Sequence, residues 1–331
     1  MLVTKIEKKE RKGGESVTAK KFFTHPFGVI SSAIITTFLW GSAFPFIKLS
    51  YEHLEIGKTD IWEQMLFAGY RFFLASILIL IFFTLLGRKL TFKRDTVLVV
   101  GKVGLFQTFL QYVLFYIGLS YSTGVQGSII AGTTSFFQLL AAHFMYKNDR
   151  LSFKKILGVT VGFAGVIIVN ITKGTLSLHL GIGEILLLIA MAFGGYGNVF
   201  AKEAAKKVDV AYLTAYQMMM GSFGLLLIGG IAAGFLPFHF NLVTFGMLLY
   251  LSLLSSVGFI LWNNVMKYNQ VGKVSMYLFL VPVFGVMLSS FMLHEALSYL
   301  VFIGLMMVTA GIIIVNYQRD QKNAEISKSA S

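Results

Sequence analysis

Ten long apolar runs, separated by short polar breaks, govern what this 331-residue chain can become. They cover approximately 27–47, 64–86, 96–119, 123–146, 156–171, 180–201, 210–236, 240–266, 274–293 and 297–317. A helix needs about 17–25 apolar residues to cross the hydrocarbon of a bilayer. Inside that layer only helices and closed barrels satisfy their own backbone. The shortest run, 156–171, is extended if Lys154 and Lys155 snorkel to the interface. The expected fold class is therefore an all-α integral membrane protein with ten transmembrane helices. Breaks are sharp at Gly87-Arg88-Lys89, Lys147-Asn148-Asp149-Arg150 and Lys206-Lys207, and weakest at Ser120–Ser122. Only 13% of residues are charged and 56% are hydrophobic, so a water-soluble fold would expose large apolar patches.

The charge distribution orients the runs. With residues 1–26 placed in the cytoplasm as a disordered, lysine-rich tail, 23 of the 28 Lys and Arg residues fall on that side. Lys48, Lys58 and Lys173 fall on the other, and Arg71 and Lys102 lie inside runs. Positive residues resist translocation, so both termini, including a second tail at 318–331, are expected inside. A nine-span count that fuses 96–146 scrambles this pattern. The first apolar run is too long for a signal peptide and lacks a small-x-small cleavage site. The expected location is the plasma membrane, a bacterial inner membrane above all. The net charge of +13 thus reports topology and does not point to nucleic acid. The absence of cysteine excludes a disulfide scaffold, a cysteine-ligated metal and a cysteine nucleophile.

The sequence repeats internally. Leu151-Ser152 to Asn170 carries Gly158, Gly165 and a closing Gly-Val-Ile-Ile-Val-Asn, and Leu297-Ser298 to Asn316 carries Gly304, Gly311 and Gly-Ile-Ile-Ile-Val-Asn, at an offset of 146. Phe144-Met145 pairs with Phe291-Met292, Trp40-Gly41 with Gly194-Gly195, and Ala68-Gly69-Tyr70-Arg71 with Thr214-Ala215-Tyr216-Gln217. The halves 27–171 and 180–317 each hold five runs. An odd number forces the two copies to insert in opposite directions, and such inverted repeats are commonly used for alternating access.

Trp40-Gly41-Ser42-Ala43-Phe44 with Lys48, Tyr70-Arg71-Phe72, Pro282, the Leu293-His294-Glu295-Ala296-Leu297-Ser298 turn and the glycine-rich fifth and tenth runs carry a resemblance. Over about residues 28–318 the chain resembles the drug/metabolite transporter superfamily with two EamA-type domains. The resemblance implies a central cavity lined by runs 1–4 and 6–9, with runs 5 and 10 peripheral. It also implies export or exchange of small metabolites, often amino acids. The turn after the fourth run, Lys147-Asn148-Asp149-Arg150, lacks the glutamate often found there, which speaks against a coupling role for that turn.

Charge inside a bilayer is costly and usually faces a cavity or a partner. Arg71 can bind a substrate carboxylate through a two-pronged hydrogen bond, although a structural ion pair or helix-end anchor is the plainer reading. Lys102 is within snorkelling reach of the cytoplasmic surface. Glu184, near the outer end of run 6, is the coupling candidate, with an interfacial residue as the alternative. Gln107 and Gln111 are four apart and share a helical face, with Lys102 nearby. That polar stripe is the best pointer to a permeation path. Gln126, Gln138, Asn198, Gln217, Asn263 and Asn264 complete the uncharged polar set, and interhelical bonding explains several of them. The aromatic candidates for the cavity are Trp40, Phe44, Tyr112, Tyr116, Phe137, Tyr196, Trp262 and Tyr277. Pro45 and Pro282 each remove a backbone hydrogen bond and are hinge candidates.

No phosphate loop, metal-ligand spacing or Gly-x-Ser-x-Gly element is present, so neither a cofactor nor catalysis is expected. The expected partners are a small-molecule substrate, the lipid bilayer and a second copy of the chain. The expectation is a secondary transporter, with a membrane enzyme or a non-transporting scaffold or sensor as the alternatives.

Overall fold

A computed structural model describes residues 17–149, 151–170, 181–294 and 299–316, and every regular element among them is helical. In chain order the long helices are α1 (Pro26–His53), α2 (Ile61–Leu85), α3 (Arg94–Tyr121) and α4 (Gly124–Met145). They continue as α5 (Phe153–Asn170), α6 (Ile182–Ala204), α7 (Val210–Ala233), α8 (Leu242–Tyr268), α9 (Val271–Leu293) and α10 (Tyr299–Asn316). Eight of them, α1–α4 and α6–α9, are long and apolar enough to cross a membrane. The chain is a multi-pass membrane protein.

Local chemistry sets the helix ends. Pro26 stands at the first position of α1, where no amide hydrogen is needed. The weak break at Ser120–Ser122 is a real boundary: Thr123 and Gln126 form a reciprocal capping box that starts α4. Gln126 is thus a cap residue and no part of an interior polar set. Asp209 caps α7 by accepting from the amides of Ala211 and Tyr212, and Asn241 with Thr244 caps α8. The polar N-terminal segment is not wholly unstructured. Val17–Thr24 forms a helix because Phe23 stacks on Tyr268 and its carbonyl accepts from Asn269 Nδ2 at 2.8 Å.

Contacts between turns sort the bundle into two ends. The α2–α3 and α6–α7 connections and Lys267 line one cleft at a basic end. Asp149, after α4, joins that end by accepting from Gly272 N at 2.9 Å at the start of α9. At the opposite end Ser120 Oγ donates to the Lys58 carbonyl, and Ser122 Oγ donates to Glu184 at the start of α6. α1 and α6 therefore run in opposite directions.

Small residues let the helices approach closely, the main source of cohesion where lipid replaces water. A Cβ on Gly41 of α1 would stand 2.7 Å from Phe284 Cβ of α9, and one on Gly195 of α6 would stand 2.8 Å from Phe137 Cβ of α4. α2 packs along α7, and α5 along α10, where a Cβ on Gly311 would lie 2.5 Å from the Gly158 carbonyl. α3 is not uniform. Leu105–Leu110 is a π-helical segment, the kind of local unwinding often found at functional sites.

Candidate functional site

An interior cavity of about 60 Å³ sits midway along the bundle. α1 contributes Trp40, Ala43 and Phe44, and α2 contributes Arg71. Gln111, Tyr112 and Phe115 come from α3, just past its π-helical segment. α4 adds Ala131 and Thr134, α6 adds Met191 and Asn198, and Phe259, Leu278 and Val281 close the wall from α8 and α9. The space is that of a few waters, whereas ligand pockets hold about 300–1,000 Å³. A metabolite therefore fits only if the surrounding helices separate.

Arg71 dominates the electrostatics. It is 1% exposed, and its Nε donates to Ser255 Oγ at 2.8 Å and to the Leu251 carbonyl at 3.2 Å. Its Nη1 donates to the Tyr116 hydroxyl at 3.0 Å. The guanidinium also lies 4.9 Å from the Phe72 ring centre and 5.8 Å from that of Tyr112, a favourable placement for a cation over π faces. Among the described residues no carboxylate lies within 4.0 Å of it. The expected ion-pair role thus finds no acidic partner there. Tyr116 and Ser255 belong to the site as its anchors. The spacing 112, 115, 116 on one helical face signals the first; nothing in the sequence signals the second, which meets Arg71 from the other half of the chain.

Toward the basic end the cavity is floored by a network of side-chain amides. Gln107 Nε2 donates to Asn198 Oδ1 at 2.7 Å, Asn198 Nδ2 to Gln138 Oε1 at 2.7 Å, and Gln138 Nε2 to Ser275 Oγ at 2.7 Å. Asn263 Nδ2 donates to Thr214 Oγ1 at 3.0 Å, and Thr108 Oγ1 to Gln217 Oε1 at 2.7 Å. Gln107 Nε2 also reaches Asn263 Oδ1 at 3.5 Å, so the network joins α3, α4 and α6–α9. Gln107 is fully buried in it, so Gln107 and Gln111 have different duties: one ties helices, the other lines the cavity. Gln107 lies within the π-helical segment and Gln111 just past it, which alters the phase that regular four-residue spacing assumes. Lys102 does not join this interior face. It is exposed, with its ammonium 3.9 Å from the Phe200 ring centre.

The remaining sequence candidates lie around the cavity. Trp262 is fully buried behind Trp40, with ring centres 5.7 Å apart. Tyr196 and Tyr277 pack in the same cluster as Trp262 toward the basic end, and Phe137 packs against Gly195. Glu184 stands in the first turn of α6, outside the cavity lining, and accepts from Ser122 Oγ at 3.3 Å. An acid there is favoured by the helix dipole. Pro45 is inside α1, next to Phe44, and Pro282 lies in α9 just past its internal 3-10 segment Ser275–Phe279. Asp149 accepts from Lys155 Nζ of α5 at 2.6 Å and from Gly272 N of α9 at 2.9 Å, and so ties the α4–α5 turn to α9. Its counterpart at the repeat offset, Glu295, lies outside the described residues.

The EamA-like transporter family matches residues 27–171 and 181–317. The chain is 24% identical to "Uncharacterized transporter YoaV" of Bacillus subtilis (strain 168), over 86% of this chain and 96% of that protein. It is 27% identical to an "Uncharacterized transporter" of Archaeoglobus fulgidus, over 87% and 96%. A "Probable amino-acid metabolite efflux pump" of Salmonella typhimurium is 24% identical over 85% and 92%. One solved crystal structure shares the fold, with a TM-score of 0.67, 14% identity and coverage of 88% of this chain and 98% of that one.

Proposed function

The chain belongs to the EamA-like transporter family, and from that premise we propose that it is a secondary transporter that moves small carboxylate-bearing metabolites by alternating access. Arg71 carries this reading. It is a buried cation on the wall of the central cavity, bonded to hydroxyls and a carbonyl and to no acid among the described residues. A lone buried charge is costly without a counter-ion, and a substrate carboxylate supplies one. Trp40, Phe44, Tyr112, Phe115 and Phe259 offer apolar surface for the rest of the molecule. Amino acids fit this description, in keeping with the name of the Salmonella relative.

The proposed architecture is ten spans in two inverted five-helix repeats, 27–171 and 180–317. The opposed directions of α1 and α6 support it. So do the matched contacts Gly41 with Phe284 and Gly195 with Phe137, which fall at positions paired by the internal repeat. Inverted repeats related by a pseudo-two-fold axis in the membrane plane supply two exchangeable packings, hence an inward and an outward opening. The amide network closes the basic end, which the excess of Lys and Arg assigns to the cytoplasm, with both termini there. The membrane is the plasma membrane, and the driving force is the substrate gradient or proton exchange.

The test is uptake by inside-out vesicles or proteoliposomes offered amino acids and other carboxylates, with and without a pH gradient. Saturable flux that competes among carboxylates is expected. Absence of flux for every compound, with folded protein in the membrane, overturns the transport reading.

A further inference from the structure

A second cleft, of about 510 Å³, opens at the basic end, well away from the central cavity. Arg88, Lys89, Lys93, Lys206, Lys207 and Lys267 line it, against the acids Asp95 and Asp209. Arg88 pairs with Asp209 at 3.0 Å and Lys206 with Glu203 at 2.6 Å. Lys89, Lys93 and Lys207 form no ion pair among the described residues. The lining is therefore strongly positive.

The cleft is built rather than incidental. Its α2–α3 wall is fastened to α7 by three hydrogen bonds: Lys93 N to the Tyr212 hydroxyl at 3.0 Å, Thr96 Oγ1 to the same hydroxyl at 2.7 Å, and the Tyr216 hydroxyl to the Leu90 carbonyl at 2.7 Å. Phe92 packs against Tyr216, with ring centres 5.2 Å apart. Gly87, at φ +73°, makes the turn that brings the strap of residues 88–93 back over the bundle. An ordered backbone thus presents the lysines to a space large enough for a polar headgroup.

The surface leading to it is apolar. Phe82, Leu85 and Leu86, at the end of α2 and just before Gly87, are exposed, as is Leu98 in the first turns of α3. In a membrane protein these side chains face lipid tails. A phosphate in the cleft and acyl chains along this strip belong to one molecule. Basic pockets at the end of a helical bundle suit anionic lipid headgroups.

We propose that this cleft is a binding site for an anionic phospholipid, with the headgroup phosphate held by Lys89, Lys93 and Lys207. A lipid seated there joins the α2–α3 strap to the α6–α7 turn, elements of the first and second halves of the chain. Their relative movement is thereby opposed at this end. The inference requires only that the chain spans a membrane, and it stands apart from the transport reading.

The experiment is native mass spectrometry of the full chain, loaded with dioleoyl phosphatidylglycerol or dioleoyl phosphatidylcholine, with inorganic phosphate and glycerol phosphate as soluble probes. Retention of phosphatidylglycerol over phosphatidylcholine is expected. It should fall at least ~10-fold in the triple variant Lys89→Gln/Lys93→Gln/Lys207→Gln. The triple Lys→Arg variant should keep it, which separates loss of charge from loss of fold. A control that removes three basic residues outside the cleft, Lys20→Gln/Lys21→Gln/Lys154→Gln, should also keep it. Equal loss in that control, or equal retention of both lipids, overturns the proposal. Binding of the soluble phosphates as tightly as the lipid overturns the lipid as occupant.

Discussion

Arg71 Nε donates to Ser255 Oγ at 2.8 Å, so a cation from the first half of the chain is held by a hydroxyl from the second. The bond spans 184 residues of sequence and fixes the guanidinium between the two halves. Arg71→Lys keeps the charge and loses the fork that reaches Ser255, Leu251 and Tyr116 together. Transport of any confirmed substrate should fall at least ~10-fold, the equivalent of about 1.4 kcal/mol, with the folded protein still inserted. Ser255→Ala should give a smaller loss of the same kind. Flux measured in proteoliposomes, normalised to monodisperse protein, checks both.

The amide floor should be energetically coupled. In a cycle of Gln107→Leu, Asn198→Leu and the double variant, the two residues should show an interaction of about 0.6 kcal/mol, with ~1.7 as the upper range for membrane proteins. Denaturant titration in mixed micelles reads this. A purely additive cycle would remove the network as a closing element.

Two glycines make a paired test of packing. A Cβ on Gly197 would stand 2.8 Å from Gln107 Cα, whereas nothing lies within 4 Å of one on Gly246. Gly197→Ala should force α6 from α3 and cost about 1–3 kcal/mol. Gly246→Ala, on an exposed part of α8, should be neutral or stabilise by about 0.5–1 kcal/mol. Thermal melts of the purified protein in one detergent compare the two directly.

The cysteine-free chain makes topology measurable without background. Lys89→Cys and Lys154→Cys should react with an impermeant maleimide only from the cytoplasmic side. Lys58→Cys and Lys173→Cys should react only from the other. Cytoplasmic labelling at position 173 would mean that α5 does not cross, and the ten-span reading would fall.

Glu184→Gln separates anchoring from coupling. Its place in the first turn of α6, bonded to Ser122, fits an interfacial anchor. Flux should keep its dependence on a pH gradient, with at most a small loss of stability, about 0.3–1 kcal/mol. Loss of that dependence with substrate exchange intact would make Glu184 the coupling group.

The eight long spans, their boundaries at charge clusters and the multi-pass class were legible because lipid imposes a length and an apolarity on every crossing helix. The cavity was partly legible. Trp40, Phe44, Arg71, Gln111, Tyr112 and Asn198 meet there, while Gln107 supports the wall and Trp262 packs behind it. Residues such as Thr134, Met191 and Phe259 carry no signal of their own, since an apolar or small side chain reads alike whether it faces lipid, a neighbour or a cavity. The role of Gln126 was readable from Thr123-x-x-Gln126, a capping box that outranks its polarity as an explanation.

What the sequence determined by itself is the membrane class, the repeat and the asymmetry of charge, because each follows from local composition and period. What only the tertiary structure decided is who meets whom. The π-helical segment in α3 divides the glutamine stripe into a structural and a cavity-lining residue. Close approach at glycines chooses which faces turn inward, and only that packing sets Ser255 beside Arg71. Helix period fixes neighbours one turn apart, whereas neighbours across a bundle depend on the rotation of every helix against the rest.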